Sequence, residues 1–359
     1  MSSIHDVARE AGVSTATVSR TFNTPGLLSE QTHKRVVEAA KRLNYLPNRA
    51  RVQNRLRLSK GDNGLQQASQ ASTQETFIGF QFFSYASGDT ITSNAFYAQI
   101  MAGAQIEAAS LGMHLLLHTT DRHAMQIELP KMIRDRTVAG MLLVGTADPA
   151  VLSSFLEHVP EIVLVDNRDS TGRQDCIVSD GFAGTVEATK YLFGLGHSRI
   201  GFITDDTNAP TFQDRLHGFV CTHFDAGLTV NPSLVLRIDH RSFPVQAIAE
   251  YLARPNRPTA IVTSNDMSAS HVLQACRELD IHVPSELSVV GFDDIDLSAQ
   301  LWPPLTTVRV NKELMGRLGV SRLQARLQAH DSSPDAMPPV TIEVPVSLIV
   351  RQSCCKLSL

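Results

Sequence analysis

The sequence predicts two architectures in series, a small all-α head followed by an α/β body of two doubly wound parallel sheets. Three observations predict it. Apolar residues recur at helical spacing through the first forty-odd positions. From Phe77 onward, short and almost wholly apolar runs alternate with helical stretches. Charge divides at the same boundary: residues 1–60 hold eleven Lys and Arg against four Asp and Glu, a net of about +7, whereas the whole chain is −4, so the remainder carries about −11. A basic head on an acidic body is the footprint expected of a protein that meets phosphate at one end.

In the head, Ile4, Val7, Ala8 and Ala11 give a first helix one apolar stripe. Gly12 supplies the positive φ that ends it sharply. Ser14 is placed to cap a second helix whose Val18 and Phe22 face inward four residues apart. Thr15, Ala16, Thr17, Ser19 and Arg20 remain for its outer face. They are short enough to let the backbone approach the edges of bases in a DNA major groove, and Arg20 can reach a guanine or a phosphate. Helix–Gly–helix pairs also occur in proteins that never touch DNA, so this stretch alone leaves the function open. A third helix follows, with Ser29 as its cap and Val36, Ala40 and Leu43 facing in.

After the head, residues 52–60 are basic and residues 61–74 form a polar Gln/Ser/Ala-rich linker. Strands are expected over Ile78–Phe83, His114–Thr119, Met141–Val144, Ile162–Val165, Ile177–Val178, Ile200–Ile203, Leu234–Ile238, Ala260–Thr263 and Ser288–Phe292. Helices are expected over Ala95–Leu111 and Ala124–Asp135. Runs this apolar are buried on both faces, as in parallel sheets covered by helices. About 280 residues of such alternation suit two sheets facing each other across a cleft, with ligand groups at the carboxyl ends of strands. Polar clusters stand at three such ends: Thr263-Ser264-Asn265-Asp266, Gly291-Phe292-Asp293-Asp294 and Val165-Asp166-Asn167-Arg168.

Composition excludes several classes. No stretch is long and apolar enough to cross a membrane, and the polar N-terminus does not read as a signal peptide. Five cysteines without a Cys-x-x-Cys pair argue for reduced thiols in the cytoplasm, with neither a disulfide framework nor a zinc site. There is no Gly-x-Ser-x-Gly elbow, phosphate loop or His-Glu-x-x-His motif to support an enzyme on this scaffold. A sugar carrier serving a transporter would need a signal peptide and no head. No metal or cofactor is expected.

Ordered motifs run through nearly the whole chain. The head carries Asp6-Val7-Ala8…Ala11-Gly12-Val13-Ser14…Ala16-Thr17-Val18-Ser19-Arg20…Asn23, then Val36…Leu43-Asn44-Tyr45…Pro47-Asn48. The body carries Leu195-Gly196-His197…Ile200, Arg215-Leu216-His217-Gly218-Phe219, Ser264-Asn265-Asp266, Ser288-Val289-Val290-Gly291-Phe292-Asp293-Asp294 and Pro303-Pro304-Leu305-Thr306-Thr307-Val308. In these the chain resembles the lactose-repressor/galactose-repressor (LacI/GalR) family of bacterial transcription regulators.

The resemblance implies a helix-turn-helix DNA-binding headpiece (1–47), a hinge and polar linker (48–76) and a two-lobed sensor similar to periplasmic binding proteins (77–359). The chain would cross between lobes near Ser179, Thr306 and Ser333–Pro339, giving an N-lobe of 77–178 and 307–336 and a C-lobe of 179–306 and 337–353. It implies a homodimer reading a pseudo-palindromic operator, with no membrane partner and no catalytic activity. The expected function is a ligand-responsive repressor of sugar uptake or catabolism, released when a sugar inducer shifts the population of lobe and hinge states. The alternative is a corepressor such as a purine, which would tighten operator binding.

By position in the family, Thr15, Ala16 and Arg20 are the base-reading residues, Ala16 suiting a thymine methyl. Ser14, Thr17, Ser19, Asn23, Ser29, Thr32 and Asn48 take phosphate positions. Phe96 and Tyr97 fall where the family stacks an aromatic on its effector, and Asp166, Arg215, Asn265 and Asp293 at its polar effector positions. Asp166 alone would also suit a loop cap. Asp294 is expected to hold backbone, and Trp302 to pack near Pro303. Two departures stand out. The family's hinge places a minor-groove leucine seven residues after the proline, where this chain has Asn54, so Leu56 is the nearest candidate although two residues rotate a helical side chain by about 200°. The segment Tyr85–Thr90 also lengthens a loop bordering the expected cleft.

Overall fold

In the computed structural model, residues 4–15, 17, 18, 21, 30–43, 76–85, 90–205, 209–238, 244–332 and 337–357 are described. The chain divides into two compact units, Met1–Gln74 and Glu75–Leu359.

In the first unit, helix α1 (Ile4–Ala11) ends at Gly12, whose φ is +62°. The Gly12 N–H donates to Arg9 O at 3.3 Å and the Val13 N–H to Ala8 O at 3.0 Å, a Schellman closure that only a left-handed residue permits. Residues 15, 17, 18 and 21 are helical, and Ser14 begins that helix by accepting the Thr17 N–H on its Oγ at 3.1 Å. Helix α2 (Glu30–Arg42) completes the unit. Val7, Ala8, Ala11, Val18, Val36, Ala39 and Ala40 form its core, with Val13 and Leu43 packed against them. Ala16, Ser19, Arg20, Phe22, Asn23, Ser29, Asn48 and Leu56 lie outside the described residues.

The second unit holds two six-stranded sheets. In the first, β1 (Thr76–Ser84), β2 (Met113–Asp121), β3 (Met141–Val144), β4 (Ile162–Val165), β5 (Asp175–Ser179) and β11 (Thr341–Val344) run in the order β11-β5-β4-β3-β1-β2, all parallel. In the second, β6 (Ile200–Asp205), β7 (Val235–Ile238), β8 (Ala260–Thr263), β9 (Ser288–Asp293), β10 (Thr306–Val310) and β12 (Val346–Ile349) run β12-β10-β9-β8-β6-β7. Only the β10–β12 pair is antiparallel. Strands β3, β4 and β8 are buried at every residue, which explains why they read as unbroken apolar runs.

Sheet membership moves two of the expected lobe crossings. The first passes near Ser179, where β5 gives way to a helix (Gly181–Gly194) packed on β10 and β12. The second lies at Asn311 and not at Thr306, because β10 pairs with β9 and stays in the second sheet. The third lies at Pro345 and not within Ser333–Pro339, because β11 pairs with β5 before the chain returns in β12. One residue separates β11 from β12, and proline there forbids a continued ladder.

Three further expectations are corrected. Ala124–Asp135 is helical only over Lys131–Arg134, since Pro130 starts that turn and pushes the residue before it out of helical geometry. Leu234 ends a 3₁₀ turn led by Pro232, so that strand begins at Val235. Trp302 is 80% exposed and so contributes little packing.

Two helices close the first lobe. In the chain order of the body, α3 (Ala95–Ser110) lies against α11 (Lys312–Ser332), with α4 (Lys131–Arg134), α5 (Pro149–Leu156), α6 (Gly181–Gly194), α7 (Pro210–Asp225), α8 (Pro244–Leu252), α9 (Asp266–Glu278) and α10 (Asp296–Gln300) between them in sequence. A Cβ on Gly103 would strike Glu313 O, and one on Gly316 would strike Ile100 O and Ala104 N, so backbone meets backbone at the crossing. The far end of α11 is tied by ions: Arg326 pairs with Glu161 at 2.6 Å and Asp175 at 3.0 Å, and Arg322 with Asp175 at 2.9 Å. Asp175 is fully buried and also accepts the Val340 N–H at 2.7 Å.

Candidate functional site

The carboxyl ends of parallel strands expose unpaired backbone and are where α/β sheets gather polar side chains. Here Tyr85 follows β1, Arg122 follows β2, Asp166 follows β4, Asn265 follows β8 by one residue, and Asp293 ends β9. Asp166 and Asp293 hold φ of +57° and +109°, and Asp294 of +51°, conformations that residues with a Cβ adopt reluctantly and that cluster at binding sites.

From the first lobe, Tyr97 donates its hydroxyl to Asp166 Oδ2 at 2.7 Å. The start of α3 is fixed by Asn94, whose Oδ1 accepts the Phe96 and Tyr97 N–H groups at 3.1 and 3.3 Å. Phe96 stands edge-on to Tyr97, with centroids 5.1 Å apart. The two rings are nearly buried, and Tyr97 serves as a hydrogen-bonded prop for Asp166.

From the second lobe, Arg215 on α7 places its Cζ over the Phe292 ring, 3.8 Å from the centroid, donates Nη1 to Ser264 O, and forms an ion pair with Asp293 Oδ1 at 3.2 Å. Arg215 is buried, and its charge acts on both Asp166 and Asp293. Burial raises the Asp166 carboxyl to about 6, against the opposing pull of Arg215 and the Tyr97 hydroxyl. Burial likewise raises Asp293 to about 6, with Arg215 and Lys312 opposing and Asp166 adding to the rise. Three polar atoms of this group are buried without a partner in hydrogen-bond geometry: Asp166 Oδ1, Asp293 Oδ1 and Arg215 Nε. Asp293 Oδ1 keeps the Arg215 ion pair, so one acceptor from the first lobe and one donor from the second await a partner that both gives and takes hydrogen bonds.

The other expected residues divide. Asn265 caps α9, its Oδ1 accepting the Ser268 N–H at 2.7 Å, so only its amide nitrogen is left to donate to a ligand. Asp294 holds side chains and not backbone: it accepts Arg309 Nε at 2.7 Å and Arg351 Nη2 at 2.6 Å. The neighbouring Asp266 is a brace for the cleft floor, taking Thr307 Oγ1 at 2.5 Å, Ser298 Oγ at 2.6 Å and the Ile295 N–H at 3.0 Å. In the head, Ser14, Thr15 and Thr17 are at least partly exposed. Ser14 Oγ lies 2.9 Å from Thr17 Oγ1, and Thr32 is half-buried on α2.

Sequence reasoning passed over Lys312 and Arg122. Lys312, 3% exposed, donates Nζ to Asp293 O at 2.6 Å, Asp294 O at 3.0 Å and Val310 O at 3.3 Å. Nothing in its local pattern distinguishes it from an ordinary helix-start lysine. Arg122 had a signal, because Thr119-Thr120-Asp121-Arg122-His123 is a polar cluster at a strand end like the three already singled out. Among the described residues, no group of His, Cys, Asp and Glu is placed to hold a metal, and no helix is long and apolar enough to cross a membrane.

A helix-turn-helix head joined to a two-lobed, cleft-forming sensor defines a ligand-gated, DNA-binding transcription regulator. Residues 3–48 match the family of bacterial regulatory proteins named for lacI, and residues 189–354 match the periplasmic binding protein-like domain. The chain is 31% identical over 337 residues to the HTH-type transcriptional repressor PurR of Aliivibrio fischeri strain ES114, covering 92% of this chain and 93% of that one. It is 30% identical to the ribose operon repressor of Escherichia coli K12, covering 91% and 93%. Among solved structures, the lac repressor dimer bound to operator and the anti-inducer ONPF superposes with a TM-score of 0.65 at 25% identity, covering 99% of each chain. The cellobiose complex of the transcriptional regulator CelR shares the fold, with a TM-score of 0.67 at 24% identity over 98% of this chain and all of that one. The chain belongs to the LacI family of DNA-binding transcriptional repressors.

Proposed function

We propose that this repressor works in the cytoplasm as a homodimer on a pseudo-palindromic operator, and that a sugar or sugar derivative bound between the lobes releases it. The observation that carries the effector class is the pair Asp166 Oδ1 and Arg215 Nε, buried without hydrogen-bond partners beside Asp293 Oδ1, whose only contact is the Arg215 ion pair. A vicinal diol meets both demands, because each hydroxyl donates to a carboxylate while accepting from a guanidinium. Phe96, Tyr97, Asp166, Arg215, Asn265 and Asp293 would line the site, and Thr15, Ala16 and Arg20 would read bases while Ser14, Thr17, Ser19, Asn23, Ser29, Thr32, Asn48 and Leu56 hold the DNA around them. Ribose operon repressors among the relatives, and a ribose-bound regulator of Enterococcus faecium among the structures at 21% identity, support the sugar reading.

A second reading keeps the regulator and reverses its sense. The PurR repressors are as similar to this chain as the ribose repressors, which favours testing a purine corepressor. Gel-shift titration on the DNA upstream of the gene and its neighbours separates the two. Release by D-ribose or another sugar supports the inducer reading. Tightening by hypoxanthine, with no sugar effect, would replace it.

A further inference from the structure

The proposed sugar site gives no role to Arg122. It follows the carboxyl end of β2, the edge strand of the first sheet beside β1, and is only 6% exposed. Its guanidinium lies over the Tyr85 ring at 4.3 Å, and the Tyr85 hydroxyl stands 3.5 Å from that of Tyr97, the residue that holds Asp166. Arg122 is therefore joined to the proposed sugar site through two adjacent tyrosines.

The guanidinium is oriented by a short relay. Arg122 donates Nε to His123 Nε2 at 2.9 Å, while His123 Nδ1 meets Asp148 Oδ2 at 2.9 Å. Asp148 thus holds one ring nitrogen while the other accepts from Arg122, so Asp148 sets the ring and the ring sets the arginine. The relay uses only Nε, and Nη1 is buried without any hydrogen-bond partner. No carboxylate pairs with Arg122 among the described residues, whereas Arg215, the other buried arginine described, pairs with Asp293 and donates to Ser264 O. A positioned guanidinium without an anion is expensive to bury and suits a carboxylate or phosphate, which the planar fork binds in a defined geometry.

We infer that Arg122 is a ligand residue, and that the effector carries an oxyanion, a sugar acid's carboxylate or a sugar's phosphate ester, seated on its guanidinium. This rests on the sugar reading for the body of the ligand, while the anion seat stands on Arg122 alone. No covalent step is involved.

The test is thermal unfolding of the full chain, wild type beside Arg122→Gln, at constant ionic strength. Inorganic phosphate replaces chloride as the simplest probe, and D-ribose, D-gluconate and D-ribose 5-phosphate follow. Phosphate is expected to raise the sensor's midpoint saturably by about 2–4 °C in the wild type and not in Arg122→Gln. One of the acidic sugars should exceed ribose in the wild type and lose that advantage in the variant. Gluconate and ribose 5-phosphate tell carboxylate from phosphate. Absence of a phosphate effect, or an equal effect in the variant, overturns the inference; the variant comparison also removes any phosphate held by the basic head. If Arg122→Gln does not fold, Arg122→Lys replaces it. Lysine keeps the charge but loses the fork and the Nε bond, so undiminished phosphate affinity in it overturns the inference equally. Arg122-dependent phosphate binding with no response to any sugar sinks the sugar reading and leaves the anion seat. A ribose response without Arg122 dependence does the reverse.

Discussion

Lys312 reaches across the crossing between the lobes to hold the backbone carbonyl of Asp293 at 2.6 Å. Asp293 carries one of the carboxylates of the proposed effector site on a backbone strained to φ +109°. The ammonium also takes the carbonyls of Asp294 and Val310, so one cation fixes the strained turn and the crossing strand together. Lys312→Met preserves the stem and removes all three bonds. The expected cost is roughly 2–3 kcal/mol of sensor stability, with weaker effector binding because the Asp293 carboxylate loses its aim. Thermal unfolding with and without ligand checks both. An unchanged midpoint would mean that the three carbonyls find water at no cost.

The α3–α11 crossing makes a sharper prediction, because it compares two glycines on one helix. A Cβ at Gly316 meets the Ile100 carbonyl, which cannot yield without moving α3. A Cβ at Gly319 meets only side chains, Val165 Cγ2 at 3.0 Å and Leu142 Cδ2 at 3.4 Å. Gly316→Ala is expected to cost about 1–3 kcal/mol or more through overpacking. Gly319→Ala should come close to neutral, since the helix propensity gained offsets a small repacking. Equal effects of the two would argue that the helices separate freely.

These contrasts mark what the sequence discloses. The strand order emerges from apolar runs because β3, β4 and β8 are buried on both faces, and burial is what hydropathy reports. Asp166, Arg215 and Asp293 were legible because they stand at strand ends or inside ordered motifs. The crossing at Pro345 was not, since β11 reads Thr-Ile-Glu-Val and β12 Val-Ser-Leu-Ile, and no periodicity says that adjacent strands join different sheets. Lys312 escaped for a related reason, and Arg122 carried only the polar strand end as a signal. Their roles come from partners far off in sequence, Asp293 for one and the Tyr85–Tyr97 pair for the other.

The buried carboxylates give the sensor a pH dependence of definite sign. The Asp293 carboxyl is raised by burial from 3.8 to about 6. The folded state therefore holds the proton more tightly than the unfolded chain. The stability this contributes is complete below about 4 and is lost as pH rises through about 6. His197 and His223, which burial lowers, act in the opposite direction below 6.5, so the wild-type profile alone mixes the two signs. Subtracting the Asp293→Asn profile cancels the histidines. The variant's stability relative to wild type should rise between pH 4 and pH 6, by roughly 2 kcal/mol in all. A flat difference would show that Asp293 titrates like an exposed aspartate.

In the head, substitutions at Ser14 and Arg20 test holding a helix against the proposed reading of DNA. Ser14 Oγ caps the second helix through the Thr17 N–H. Ser14→Ala should cost about 0.5–2 kcal/mol of head stability and weaken operator and random DNA alike, since the whole helix frays at its start. Arg20 is the residue proposed to reach a base edge. Arg20→Ala should leave the head's unfolding unchanged, cost about 1–3 kcal/mol on operator and much less on random DNA, and relax preference at one base pair of each half-site. Salt titration adds an independent check. Each phosphate ion pair that the substitution removes reduces the slope of log K against log salt by about one, whereas removal of a hydrogen bond to a base leaves the slope nearly intact. Equal losses on both DNAs with a reduced slope would move Arg20 from the base-reading set to the phosphate set.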